Sequence, residues 1–159
     1  MHKRIIIVGR AASGKDYLRK KFESRGFKYA VSYTTRPPRE GEVDGQDYFF
    51  LTPEQAASLI KNDEFYEYVE FNGWIYGTTR TQFEEDDIFI MTPSGLAHLS
   101  DDSRKDSLVI FIDIDEEVRR ERMTHRNMPG DSVDRRIEAD RKDFENFQNY
   151  DIKITNPDF

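Results

Sequence analysis

The sequence is 159 residues long, carries a net charge of −7 and contains no cysteine. That length suits one domain with its own core, and the missing thiols exclude disulfides, thiolate zinc sites and cysteine nucleophiles. An acidic chain is a poor partner for DNA or a membrane surface at large: no nucleic-acid or membrane partner is expected, and phosphate recognition would need local basic clusters.

The chain opens on a strand-like run, Arg4-Ile5-Ile6-Ile7-Val8, too short for a signal peptide or a membrane span. Cytoplasmic location is the expectation. Gly9-Arg10-Ala11-Ala12-Ser13-Gly14-Lys15-Asp16 follows, and then a helix-like run from Tyr17 to Ser24 that ends near Gly26. A G-x-x-x-x-G-K stretch between a strand and a helix is the setting of a phosphate-binding P-loop. Glycines let successive N–H groups point inward, the helix N-terminus adds partial positive charge, and Lys15 supplies a full charge for the β- and γ-phosphates. The residue after the lysine is Asp16, where a magnesium-ligating Ser or Thr is usual; a carboxylate is also a hard oxygen ligand. The expected ATP-binding set is Gly9, Ala11, Ala12, Ser13, Gly14, Lys15, Asp16 and Tyr17, with Asp16 at the metal.

Lys28 to Tyr33 reads as a second strand, and Thr34 to Asp47 as a polar loop outside the core. Thr52-Pro53-Glu54-Gln55 starts a helix with an N-cap, proline at N1 and a capping-box Gln; it runs to about Lys61. Glu64 to Phe71, Asn72-Gly73 and Trp74-Ile75-Tyr76 form a hairpin around a type I′ turn. Ile88 to Met91 and Leu108 to Ile112 are short buried strands, and a helix begins near Glu116 with acids suited to its dipole. Asn127-Met128-Pro129-Gly130 breaks the chain. A long helix then carries Val133, Ile137, Phe144 and Phe147 on one face, and Ile152 to Thr155 is the last strand. Strands alternating with helices argue for an α/β fold with a mainly parallel sheet. His2, His98 and His125 show no metal-ligand spacing.

Within the polar loop, Arg36 and Arg39 stand three apart among prolines, a pattern that suits a phosphate clamp with charge-assisted bonds. The same pattern fits a solvated basic loop. Tyr48 adds a hydroxyl. The stretch from Ser32 to Tyr48 resembles the GMP-phosphate loop of the guanylate kinases, and the resemblance continues through Glu64-Phe65-Tyr66-Glu67-Tyr68 and Asn72-Gly73-Trp74-Ile75-Tyr76-Gly77-Thr78. It implies that Arg36, Arg39, Tyr48 and Tyr76 hold the acceptor phosphate, and that Ser32, Glu67 and Thr78 read guanine. It further implies that Arg122 and Arg126, spaced R-x-x-x-R, and Arg136 act from a mobile lid, with Arg135 the alternative to Arg136. Asn156 corresponds to an asparagine near the adenine site.

What the resemblance implies as a whole is a P-loop kinase fold, residues 1–159 in one domain, with a mainly parallel central sheet flanked by helices. A GMP-binding lobe (about 32–77) is inserted and a lid spans about 122–136. The implied activity is transfer of the ATP γ-phosphate to GMP or dGMP, with ATP and Mg2+ as cofactors and small nucleotides as partners. Two departures stand out. Guanylate kinases usually end the strand at Ile88 to Met91 with aspartates, one for the metal and one for guanine, but Ile90 and Thr92 stand here. Thr92 is then the neutral residue on the guanine side. The chain also stops soon after Asn156, where family members commonly continue into another helix. Asp113, at the end of a Walker B-like strand, is the alternative to Asp16 at the metal. The G-K-D loop and the missing strand-end acids also suit a sugar-phosphate kinase of the ribose bisphosphate phosphokinase type. A non-catalytic guanylate-kinase-like protein-binding module is a third reading, against which Lys15 speaks, because such modules typically lose it.

Overall fold

The structure is a computed structural model that describes residues 3–126 and 132–159. β1 (Arg4–Gly9) is almost wholly buried, and an apolar strand covered on both faces belongs in the middle of a parallel sheet. β6 (Ile88–Ile90) and β7 (Ser107–Ile112) flank it, and β8 (Ile152–Ile154) extends β7, giving the all-parallel order β6-β1-β7-β8. Alternate side chains of these strands serve opposite faces. Ile6, Val8, Phe89, Val109 and Phe111 pack on one side, against Phe144. Ile7, Ile88 and Ile112 pack on the other, against Leu18 and Phe22 of α1 (Lys15–Glu23).

A second sheet has the order β3-β2-β5-β4, from β2 (Tyr33–Thr34), β3 (Phe49–Phe50), β4 (Phe65–Phe71) and β5 (Trp74–Thr79). β4 and β5 form the expected hairpin; Asn72 and Gly73 sit at φ 55° and 77°, the two positive values a type I′ turn requires. α2 (Pro53–Lys61) has the capping box read from Thr52 and Gln55. Thr79 and Gln82 build the same box on α3 (Arg80–Glu85). The remaining helices are α4 (Pro93–Leu96), α5 (Asp101–Lys105), α6 (Glu116–Thr124) and α7 (Val133–Asp143).

Three local expectations change. Lys28 to Tyr33 is not one strand: Tyr29 bridges Ile88 at the edge of the parallel sheet, while Tyr33 already pairs with Gly77 in the second sheet. The chain passes from one sheet to the other within four residues, which a strand-propensity reading does not register. Thr34 and Arg36 are buried, not loop surface, because Thr34 joins β2 and Arg36 finds a carboxylate partner. Phe147 lies beyond the end of α7, yet its ring still reaches Phe111 edge-on at 5.0 Å. The expected break and part of the expected lid fall on residues 127–131, outside the described residues. Among the described residues no helix is long and apolar enough to cross a membrane.

Candidate active site

β1 delivers the chain into a tight loop. At Gly9 a Cβ would come within 3.0 Å of the Ile112 carbonyl oxygen, and Ala12 and Gly14 adopt left-handed φ of 61° and 103°. Ala11, Ala12 and Ser13 are buried in the turn. Gly14 is the N-cap of α1 and has no side chain to cap it, so the first N–H groups of the helix are left for another acceptor. Lys15 folds back, its Nζ donating to the Gly9 carbonyl at 2.6 Å and the Arg10 carbonyl at 3.0 Å. Burial, then the nearby Arg136 and, more weakly, Arg126, lower its pKa to about 8, while Asp140 and Asp16 oppose the shift. An ammonium held by neutral carbonyls and crowded by other cations favours an arriving anion.

Around the loop, Asp16 is exposed and its carboxylate takes Arg19 Nε at 3.2 Å. Tyr17 is exposed and meets Phe159 edge-on, centroids 5.7 Å apart. Arg122 Nη1 donates to the Ala12 carbonyl and Nη2 to the Pro157 carbonyl, each at 2.9 Å. It therefore ties the loop to the segment after β8. Asn156, in that segment, is exposed and accepts from the Asp158 N–H at 2.9 Å. Asp113 is held by Arg10 at 2.7 Å and Lys153 at 3.5 Å; it does not line the cleft described next.

A cleft of about 340 Å³ runs from the loop to the second sheet, within the size range of small-molecule sites. Gly9, Ala11, Lys15 and Asp16 line one end; Ser32, Tyr48, Glu67, Tyr76 and Thr92 line the other; Arg136 contributes from α7. Glu67 follows a β-bulge between Phe65 and Glu67, an irregularity that commonly re-aims a side chain. Its carboxyl is buried, receives the Thr78 hydroxyl and has its pKa pushed up to about 7 by burial. It sits so close over Gly95 that a Cβ there would be 2.8 Å from Oε2. Thr92 Oγ1 accepts the Gly95 N–H at 3.0 Å as the N-cap of α4.

At the margin, buried Arg36 makes a two-pronged pair with Glu42 at 2.9 and 3.0 Å and lies 5.1 Å from the centroid of the Tyr48 ring. Arg39 is half-buried, and its pKa is depressed by burial, then by Arg36 and more weakly by Arg136. Tyr48 and Tyr76 stand edge to face, centroids 6.1 Å apart. Arg136 packs over Phe71, 4.5 Å from the ring centroid. Arg136, not Arg135, is the neighbour of both Lys15 and Arg39. Arg126 is exposed at the end of α6, within electrostatic reach of Lys15. Of the expected site residues, Ala12, Ser13, Gly14, Tyr17, Arg36, Arg39, Thr78, Arg122, Arg126 and Asn156 lie around the cleft without lining it.

The sequence model of the guanylate kinase family matches residues 1–159, the whole chain. The chain belongs to the guanylate kinase family. The crystal structure of guanylate kinase from Anaplasma phagocytophilum superposes with a TM-score of 0.73, at 23% identity, over 98% of this chain and 77% of that chain. At that identity the likeness is one of fold: an α/β architecture with a mainly parallel central sheet flanked by helices.

Four side chains of this guanylate kinase family member matter to the cleft and were not singled out from sequence. Asp140 and Asp143 line it from α7; they follow Arg136 at i+4 and i+7, a helical spacing that identifies them as its face-mates. Glu42 is the partner of Arg36. Arg119, buried on α6, points at Asp140 with Nη1 3.7 Å from Oδ2, and nothing in a charged helix distinguishes it from its solvated neighbours.

Proposed function

We propose that this protein is a nucleoside monophosphate kinase that transfers the ATP γ-phosphate to GMP or dGMP. The observation that carries the reading is Arg136. It lines the cleft between the loop lysine and the second sheet, and it depresses the pKa of both Lys15 and Arg39. Cations from the two ends therefore converge on one space, and their mutual repulsion is relieved by phosphate groups placed among them.

In this reading Gly9, Ala11, Ala12, Ser13, Gly14, Lys15, Asp16 and Tyr17 cradle ATP, with Asn156 near its base. Arg36, Arg39, Tyr48 and Tyr76 hold the acceptor phosphate. Glu67, Ser32, Thr78 and Thr92 face guanine. Lys15, Arg122, Arg126 and Arg136 neutralise charge around the moving group, which phosphoryl transfer requires more than it requires an acid or a base. The acceptor phosphate is already ionised, so the protein has no proton to remove. The exposed carboxylate of Asp16, beside the loop and paired with the cationic Arg19, fits a hard divalent cation; Asp16 would hold magnesium there, and the ion would supply positive charge for the phosphates. Arg122 brings its charge to the loop while donating to the Ala12 and Pro157 carbonyls, which are neutral and leave that charge in place.

The test is an acceptor panel with ATP and magnesium, reading ADP release. GMP and dGMP should be phosphorylated, while AMP, CMP and UMP are poor acceptors. Turnover with a ribose phosphate and none with guanine nucleotides would establish the sugar-phosphate kinase reading. No turnover with any acceptor would leave the protein-binding module.

A further inference from the structure

The phosphate loop of this protein holds an anion of its own. Asp140 Oδ2 accepts the Ala11 N–H at 2.9 Å, and both groups are buried. Ala11 is the third residue of the loop, and its amide is one of those expected to meet a nucleotide phosphate. Two negative groups cannot share one N–H in a weakly screened site without strong repulsion. An incoming phosphate therefore has to displace the carboxylate.

A place for the displaced carboxylate exists. Arg119 Nη1 lies 3.7 Å from the same Oδ2, is buried, and has no hydrogen-bond partner among the described residues. A buried donor left without an acceptor is costly. Arg119 does not drift to solve this, because its Nε is fixed on the Ile114 carbonyl at 2.9 Å. The guanidinium pKa is lowered by burial, with Asp140 pulling it back up. One carboxylate thus faces two donors and satisfies only one of them.

We propose that Asp140 is a resident anion of the phosphate loop, seated on the Ala11 amide and passed to Arg119 when a nucleotide polyphosphate binds. It is a positioning residue: it keeps the amide turned inward before the ligand arrives and then yields it. Asp140 and Arg136 share a face of α7 one turn apart and both line the cleft. The transfer therefore couples filling of the loop to the helix that carries Arg136. The proposal rests on the reading of residues 9–16 as a phosphate loop.

The test is calorimetric titration of ATP and of adenosine into wild type, Asp140→Asn, Arg119→Met and the double variant. It is run at about pH 6.5, where Lys15 remains protonated even with the Asp140 charge removed. Asp140→Asn is near-isosteric and should bind ATP roughly three- to ten-fold tighter, with adenosine unchanged. Arg119→Met should weaken ATP binding several-fold in the wild-type background and have no effect in the Asp140→Asn background. A purely structural pair would move melting temperature without that phosphate-specific, non-additive pattern. Equal or weaker ATP binding by folded Asp140→Asn overturns the proposal while leaving the phosphate-loop reading intact. Failure of both proteins to bind ATP overturns both. Wild-type protein carrying 13C-labelled aspartate carboxyls gives a readout that needs no variant: the Asp140 signal should shift on ATP addition, and an unmoved signal in a saturated sample overturns the transfer.

Discussion

The two ends of the cleft satisfy their charges differently. At the loop, the two cations nearest its turn rest on main-chain carbonyls, Lys15 on Gly9 and Arg10, Arg122 on Ala12 and Pro157, while Arg10 points away to Asp113. At the second sheet, side chains answer side chains: Arg36 pairs with Glu42, and Glu67 takes the Thr78 hydroxyl. A neutral carbonyl leaves most of a cation's charge available to a ligand, whereas a carboxylate neutralises it. The loop thus keeps cationic charge available at its end of the cleft. The second sheet is built to place a few groups in fixed orientations, and it gives up charge to do so.

The largest expected effect comes from removing the loop cation. In the proposed reaction, Lys15→Met should lower kcat by roughly 10²–10³-fold and leave GMP binding nearly intact, as measured by single-turnover ADP formation and by GMP titration. Equal loss at both sites would erase the contrast between the two ends.

Arg39→Ala addresses the other end. Among the described residues its guanidinium makes no ion pair, unlike that of Arg36, so more of its charge is free for the proposed acceptor phosphate. Loss of one charge-assisted bond should weaken GMP binding by about ten-fold or more, with ATP affinity unchanged.

Glu67 gives the contrast a pH axis. Its folded pKa is raised from 4.5 to about 7 by burial, so the unfolded chain ionises it first. Its contribution to stability is therefore fully present below 4.5 and is lost as pH rises towards about 7. Guanine offers donors, so binding needs the ionised form. GMP affinity should rise by about ten-fold between pH of about 6 and about 8, and Glu67→Gln should flatten that slope while weakening binding. A slope that survives in Glu67→Gln belongs to another group.

Thr92 is the finest probe. Asp is as good an N-cap as Thr, so Thr92→Asp keeps the start of α4 and adds only charge. If this residue faces the 2-amino group of guanine, the GMP-to-IMP ratio of kcat/KM should rise by roughly five- to ten-fold. An unchanged ratio means that Thr92 only caps the helix.

The tight turn between β1 and α1 was legible in the sequence because all its parts are contiguous: strand, glycines, lysine and helix follow one another. The hairpin and α2 were legible for the same reason, each carrying its own turn or cap chemistry. Tyr29 to Tyr33 was not, because its residues bond to partners in two different sheets and no local pattern encodes that split. The Thr34 to Asp47 stretch was read as surface because of its composition. Arg36 is nevertheless buried, since Glu42 makes burial of its charge tolerable. The Asp140–Ala11 bond joins residues 129 positions apart, and only the packing of α7 against the loop creates it. Sequence shows such long-range pairs only as ordinary charges on an amphipathic helix.

The second sheet has a consequence for how the chain can be rebuilt. Its chain begins at Tyr33 and ends at Thr79, and these ends are side by side, with Tyr33 paired to Gly77. A stretch that departs and returns at neighbouring points is exchangeable as one cassette where its packing seam is matched. The seam that such an exchange must match has several parts: Tyr66 stacks on Phe83 with centroids 3.8 Å apart, Arg136 packs over Phe71, and Glu67 fits against Gly95, where an added methyl would collide with its carboxylate at 2.8 Å. A graft of this stretch therefore has to keep Tyr66, Phe71 and Glu67, or change their partners Phe83, Arg136 and Gly95 with them.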